Sequence, residues 1–236
     1  MRVRVASVVL PGLALVLGAN AGAGTVTGTV VYEGKAPALK PLSVAAEPMC
    51  AKKHATVPNE ALVLGSGNTM ANVLVRVVKG LPAGKTWPAP KEPVVMDQVG
   101  CQYVPHVMGI MVKQPFKVLN SDGILHNVHA LPKVNRPFNM AMPPTRKEAT
   151  ETFGQEEGMF TIKCDVHPWM RSFIGVFSHP FFAVTKTDGK FSLANLDPGT
   201  YEIEAWHERL GTQKATVTVG ATDTKPVSFK FAAPAK

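Results

Sequence analysis

Cys164-Asp165-Val166-His167-Pro168-Trp169-Met170 carries a thiolate, an imidazole and a thioether in one short stretch. Upstream, His126-Asn127-Val128-His129 supplies further imidazoles. Two His, one Cys and a weak Met form the donor set of a blue-copper electron-transfer site. Cu(I) is soft and prefers sulfur, whereas Cu(II) accepts imidazole. A rigid site between those preferences needs little rearrangement when an electron moves. Three donors on one tight loop can converge on one ion. The fourth, His126, must come from a different strand end and so ties two distant segments together. Zinc is the competing metal. Structural zinc prefers more thiolates or a set without a thioether, so Met170 argues against it. Catalytic zinc would want a carboxylate acid or base, and only Asp165 is near. The plainest alternative, a buried thiol with unrelated surface histidines, leaves Met170 and the H-N-x-H pair unexplained.

The segments on either side read as strands and turns. Thr25 to Tyr32 is rich in β-branched residues and stops at Glu33-Gly34-Lys35. Val73 to Val78, Val94 to Met96, Val107 to Val112, Phe116 to Asn120, Met159 to Lys163 and Phe173 to Phe177 are further strands. Pro82 to Pro93 reads as an extended loop, Asn135 to Arg146 as a loop rich in Pro and Met, and Glu47 to His54 as a helical segment. After His179-Pro180 the texture changes to clean alternation, from Phe182-Ala183-Val184-Thr185 through Thr200 to Trp206, Thr216 to Val219 and Val227 to Phe231. Such short strands between turn signals predict an all-β chain, an antiparallel sandwich or barrel with a small antiparallel β unit attached. That unit is short for an independent core, so it is expected to pack on the first domain or borrow a strand.

Composition agrees. Hydrophobic residues make up 45% of the 236, enough for a buried core. The 20 Gly and 20 Pro favour turns over long helices. No apolar run approaches the ~20 residues of a membrane-spanning helix, so no membrane span is expected. Lys and Arg number 25 against 17 Asp and Glu, a net +8. There is no Lys/Arg run and no nucleic-acid motif; the basic balance suits a solvated surface that favours an acidic partner. Met1-Arg2-Val3-Arg4, the apolar stretch Val5 to Leu17 and the small residues Gly18 to Gly24 have the form of a secretory signal peptide over 1–23. Export would place the chain in the periplasm, where disulfides persist. Of the three Cys, Cys50 and Cys101 are left once Cys164 is given to copper. They most simply form a disulfide. With Cys50-x-x-x-His54 and Cys101-x-x-x-x-His106 a second metal stays open as the alternative. His179 and His207 read as interface or surface groups, and Met140 and Met142 as core or rim packing.

At the ligand residues the sequence resembles the cupredoxin (blue-copper) family, most closely its amicyanin branch. The shared motifs are His126-Asn127-Val128-His129 and Cys164-x-x-His167-Pro168-x-Met170-Arg171, with a strand straight after. The match covers roughly Val107 to Phe177. It implies a Greek-key β-sandwich or barrel holding one type 1 copper on His126, Cys164, His167 and Met170. It implies that His129 is not a ligand. Asn127 would hold the two segments together by bonding backbone near the Cys164 loop. The implied role is a single-electron carrier, not an enzyme. The partner would be a redox protein such as a c-type cytochrome or a periplasmic dehydrogenase. A copper-storage or copper-delivery protein is the rival reading; such a site would be exposed and without an enforced loop. Copper oxidases and nitrite reductases need further His clusters, and the seven His are scattered.

The C-terminal stretch Thr187-Asp188-Gly189-x-Phe191-x-Leu193-x-x-Leu196-x-Pro198-Gly199-Thr200-Tyr201 is similar to the carboxypeptidase regulatory-like, transthyretin-type sandwich. That implies a non-catalytic module. The expected division is a signal peptide over 1–23, a copper domain with an N-terminal extension over 24–180, and the module over 181–236, completed by the strand 25–32.

Overall fold

A computed structural model describes residues 22–233. The expected signal peptide lies outside them, save for Gly22 and Ala23. In chain order the elements are β1 (Gly24–Glu33), β2 (Leu42–Ser43), α1 (Pro48–Lys53), β3 (Thr56–Val57), β4 (Leu74–Lys79), β5 (Val94–Val99), β6 (Gln102–Val104), β7 (Val107–Met111), β8 (Pro115–Asn120), β9 (His126–Ala130), β10 (Phe138–Met142), β11 (Glu148–Thr152), β12 (Glu157–Lys163) and β13 (Arg171–Phe177). They continue with β14 (Phe182–Val184), β15 (Lys190–Leu196), β16 (Gly199–His207), β17 (Gly211–Val219) and β18 (Thr224–Ala232).

The strands form two sandwiches. In the first, a five-stranded sheet ordered β10-β9-β12-β13-β7 faces a four-stranded sheet ordered β11-β8-β5-β6. Period-2 side chains from both sheets meet between them: Met96, Phe116 and Val118 from one, Ile110, Val128, Met142, Ile162 and Ile174 from the other. In the second, the sheets β14-β4-β16-β17 and β15-β1-β18 enclose Val26, Val30, Val75, Val77, Leu193, Ile203 and Phe231. β1 and β4 therefore belong in space with the C-terminal strands. β1 lies antiparallel to β15 and parallel to β18. The approach of β1 to its neighbours leaves no room for a side chain at Gly28, where a Cβ would lie 1.7 Å from the Val227 carbonyl oxygen. Phe173 and Phe177 of β13, with Val107 of β7, pack against Leu74 of β4 and against Phe182 and Trp206. β13 is thus covered on both faces.

Three departures from the sequence reading have local causes. Asn135 to Arg146 is not all loop. Its Phe138–Met142 forms β10, because Met140 and Met142 alternate into the core while Asn139 and Ala141 point out. Parallel pairs occur at β7–β13, β5–β8 and β1–β18; non-local pairing is invisible to a search for hairpins. Of the interface or surface places expected for His179 and His207, the surface one does not hold: both are buried, His207 because β16 alternation sends it inward with Tyr201, Ile203 and Ala205. Among the described residues, no helix is long and apolar enough to cross a membrane.

Candidate metal centre

His126 opens β9, and Cys164 follows directly on β12. Antiparallel pairing of β9 with β12, His129 opposite Lys163, brings the end of β12 beside the start of β9. The Cys164–Met170 loop closes on itself: Cys164 N–H donates to the Met170 carbonyl at 3.1 Å, and Met170 N–H to the His167 carbonyl at 2.9 Å. β13 begins at the next residue and anchors the loop's exit. On the other side Asn120 holds the turn before His126, its Nδ2 donating to the carbonyls of Ile124 (2.9 Å) and Met142 (2.8 Å).

This scaffold brings His126, Cys164 and His167 together, each with a ligand atom within 4.8 Å of the others. All are buried, at 0%, 2% and 1% exposure. His126 Nδ1 and His167 Nδ1 face each other at 2.8 Å, and Cys164 Sγ lies 3.7 Å from His167 Nδ1. Met170 is buried on the same loop. Asn127 joins the two segments, its Oδ1 accepting from Asp165 N–H at 2.7 Å and lying 3.2 Å from Cys164 Sγ. His129 is outside the cluster. It pairs instead with Asp165, Nδ1 to Oδ2 at 2.9 Å, at the half-exposed rim.

The electrostatics favour a thiolate. Burial alone would push the Cys164 thiol up. Hydrogen bonding to His126 and His167 outweighs it and brings the pKa down to about 5. The His167 N–H, 3.3 Å from Sγ, helps. Burial would lower His126, but the Asp122 carboxylate and Cys164 outweigh that too and raise it. Asp122 Oδ2 sits 3.0 Å from His126 Nε2 and also accepts the Cys101 N–H, while Oδ1 accepts the Gly100 N–H, each at 2.8 Å. Against the burial that would raise it, these contacts hold Asp122 below the usual carboxylate range. Asp122 fixes the proton of His126 on Nε2, so that Nδ1 presents a lone pair inward. A soft anion with two imidazole nitrogens turned to one point, all three buried, suits a borderline or soft metal ion.

Cys50 and Cys101 are joined in a disulfide across 51 residues of sequence. With both sulfurs so bonded, the alternative of a second metal at Cys50, His54, Cys101 and His106 falls. His106 instead bonds the Arg171 carbonyl and the Glu208 carboxylate. The disulfide holds the segment from β2 to β3 against the centre. Val44, Cys50, Val57, Cys101 and Ile124 form a small apolar cluster with Leu42 and Trp169, whose indole donates to the Cys101 carbonyl at 2.9 Å. Trp169 packs at 5.2 Å from the His167 ring. Two residues of this surround, Asp122 and Glu47, escape the sequence reading. Asp122 sits in Asn120-Ser121-Asp122-Gly123, which looks like any turn. Its place four residues before His126 is the only local signal.

No protein-family model matches the chain, and no curated protein does. Solved structures do match parts of it. A Cu-containing nitrite reductase from Thermus scotoductus SA-01 is 22% identical with a TM-score of 0.34, over 43% of this chain and 26% of that one. A point mutant of amicyanin in its oxidized state is 19% identical with a TM-score of 0.33, over 44% of this chain and 98% of that one. A purple cupredoxin from Nitrosopumilus maritimus is 20% identical with a TM-score of 0.30, over 35% and 98%. The chain thus spans about a quarter of the nitrite reductase it matches. The expectation that the chain is not an enzyme is corrected here, because an enzyme stands among these matches beside the amicyanin and the purple cupredoxin. The all-β, two-sheet sandwich rests on the strand order described above, not on these matches.

Proposed function

We propose that this chain is an exported copper protein that passes single electrons through one type 1 copper that His126, Cys164 and His167 would hold, with Met170 as a weak fourth donor. The observation that carries the reading is the convergence of the two Nδ1 atoms and the Cys164 sulfur inside a buried, braced pocket. Copper there would supply a one-electron couple with a strongly coloured thiolate bond. The protein's part is to hold the donors still. Asp122 fixes the His126 ring, Asn127 ties the Cys164 loop to β9, and β13 pins the loop exit. Burial keeps water off all three donors.

Export is supported by the form of residues 1–23 and by the disulfide, which suits the periplasm. A c-type cytochrome or a periplasmic dehydrogenase is the proposed partner. The second sandwich, with its carboxypeptidase regulatory-like stretch, is assigned a bracing role beneath β13. The test is direct. Copper-loaded protein should be intensely coloured, bleach with a mild reductant and recover on reoxidation, with one copper per chain. A colourless copper adduct, or zinc retained against copper, would end the reading.

A further inference from the structure

The two histidines are backed differently. His126 Nε2 meets Asp122 Oδ2 at 3.0 Å. His167 Nε2 is buried and has no hydrogen-bond partner. Facing it, at 3.6 Å, is Glu47 Oε2. That is beyond hydrogen-bond length, and the ring explains why. With the His126 proton on Nε2, the 2.8 Å contact between the Nδ1 atoms needs the His167 proton on its own Nδ1. His167 Nε2 is then a lone pair pointing at a carboxylate. When Nδ1 serves as a metal donor, neutral His167 must carry its proton on Nε2 instead. The ring's proton count does not change; only its position does. Glu47 Oε2 is the acceptor in reach.

We propose that Glu47 is the positioning carboxylate of His167, the counterpart of Asp122 behind His126. It accepts the Nε2 proton of the metal-bound ring and adds a negative charge beside the centre. The inference rests on the metal-centre reading above. Glu47 comes from outside the first sandwich, just ahead of α1, and the Cys50–Cys101 disulfide fastens α1 in place. Its two oxygens divide the work: Oε1 caps α1 by accepting the Met49 N–H at 3.2 Å, and Oε2 faces the ring. Glu47 is itself part-exposed, at 29%, while His167 is buried, so the carboxylate lies on the side of the ring towards solvent.

The two roles separate by substitution. Glu47→Ser keeps a helix cap but cannot reach the ring. Glu47→Gln keeps an acceptor of the same length without the charge. Copper affinity, read by competition with a chelator, and reduction potential are measured on the full mature chain beside its melting curve. Glu47→Ser should melt as the wild type does, bind copper about 10–100-fold more weakly and have a raised potential, because lost negative charge favours Cu(I). Glu47→Gln should hold copper near wild-type strength yet still show the raised potential. A Glu47→Ser protein with wild-type affinity and potential would reduce Glu47 to a helix cap and overturn the proposal. Wild-type protein that takes up no copper would overturn the metal-centre reading, and the proposal with it.

Discussion

Replacing Cys50 and Cys101 together by Ala removes the only covalent tie on the segment that carries Glu47. The bond closes a loop of 51 residues of sequence. Restricting an unfolded chain by a loop of that length stabilises the fold by about 4 kcal/mol in the chain-entropy account. What remains on the segment after the cut is little: β2 and β3 are paired over two positions, Val44 and Val57 pack against Ile124 and Trp169, Lys53 Nζ donates to the Asp122 carbonyl at 3.1 Å, and Glu47 faces His167. Isolated two-stranded ribbons are marginal in water. The segment should therefore open before the sandwiches unfold. Urea unfolding of the variant, followed by tryptophan fluorescence, should show a lowered midpoint. Limited proteolysis should cut between 42 and 57 under conditions where wild type resists. Reduced wild type is the control that separates the lost bond from the lost side chains, and it should match the variant. A variant within about 1 kcal/mol of wild type, with an unchanged denaturant slope and a resistant segment, would refute the argument that the bond holds this segment down.

Cys164→Ser exchanges a soft anion for a hard neutral hydroxyl and should abolish the charge-transfer band, while Met170→Leu should keep the colour and raise the potential; visible spectra and voltammetry read both. His129→Ala should leave copper content and colour unchanged, since His129 pairs with Asp165 at the rim; a colourless His129→Ala beside a normal His126→Ala would show the wrong histidine had been chosen. Burial holds His207 down at about 4, from an ordinary 6.5. Below pH 6.5 the unfolded chain therefore takes up a proton that the fold refuses. The stability from His207 is full above 6.5 and falls away towards pH 4, by at most about 3 kcal/mol. His207→Leu should flatten the pH dependence of the urea midpoint across that window. Deleting Phe182 to Lys236 strips β1 and β4 of every paired strand, so the truncated chain should melt well below the whole; equal melting temperatures would contradict the packing at β13. Gly28→Ala should cost roughly 1–3 kcal/mol through overpacking, measured by the same unfolding assay.

The candidate metal loop is legible in the sequence because its chemistry is local: Cys164, His167 and Met170 sit on one turn, and their side chains are rare together. His126 needed the second motif, which is also short. Asp122 and Glu47 were not legible, because each acts across space through a single carboxylate of ordinary appearance. Glu47 lies 120 residues before His167, with no spacing rule to connect them. The β segments fared by their alternation. Phe173 to Phe177 reads as a short strand in the sequence, and its continuous apolar run fits the cover it has on both faces. Phe138–Met142 alternates as well, but Pro137, Pro143 and Pro144 around it are loop signals that mask the strand. His179 and His207 look polar in sequence and are buried, because a neutral imidazole is a tolerable core group once its neighbours bond it. His207 Nδ1 accepts the Arg209 N–H, and His179 Nδ1 the Phe181 N–H.

β13 leaves the ligand loop and runs directly between the two cores. A strand gripped from both faces has no soft direction in which to bend. The stiffness that the proposed one-electron site needs is therefore a property of the whole molecule, lent to the loop from below. Grafting Cys164–Met170 onto a lone sandwich would carry over the donors without that clamp. On the proposed copper reading, the transplanted centre would relax between the two oxidation states and exchange electrons more slowly than the parent.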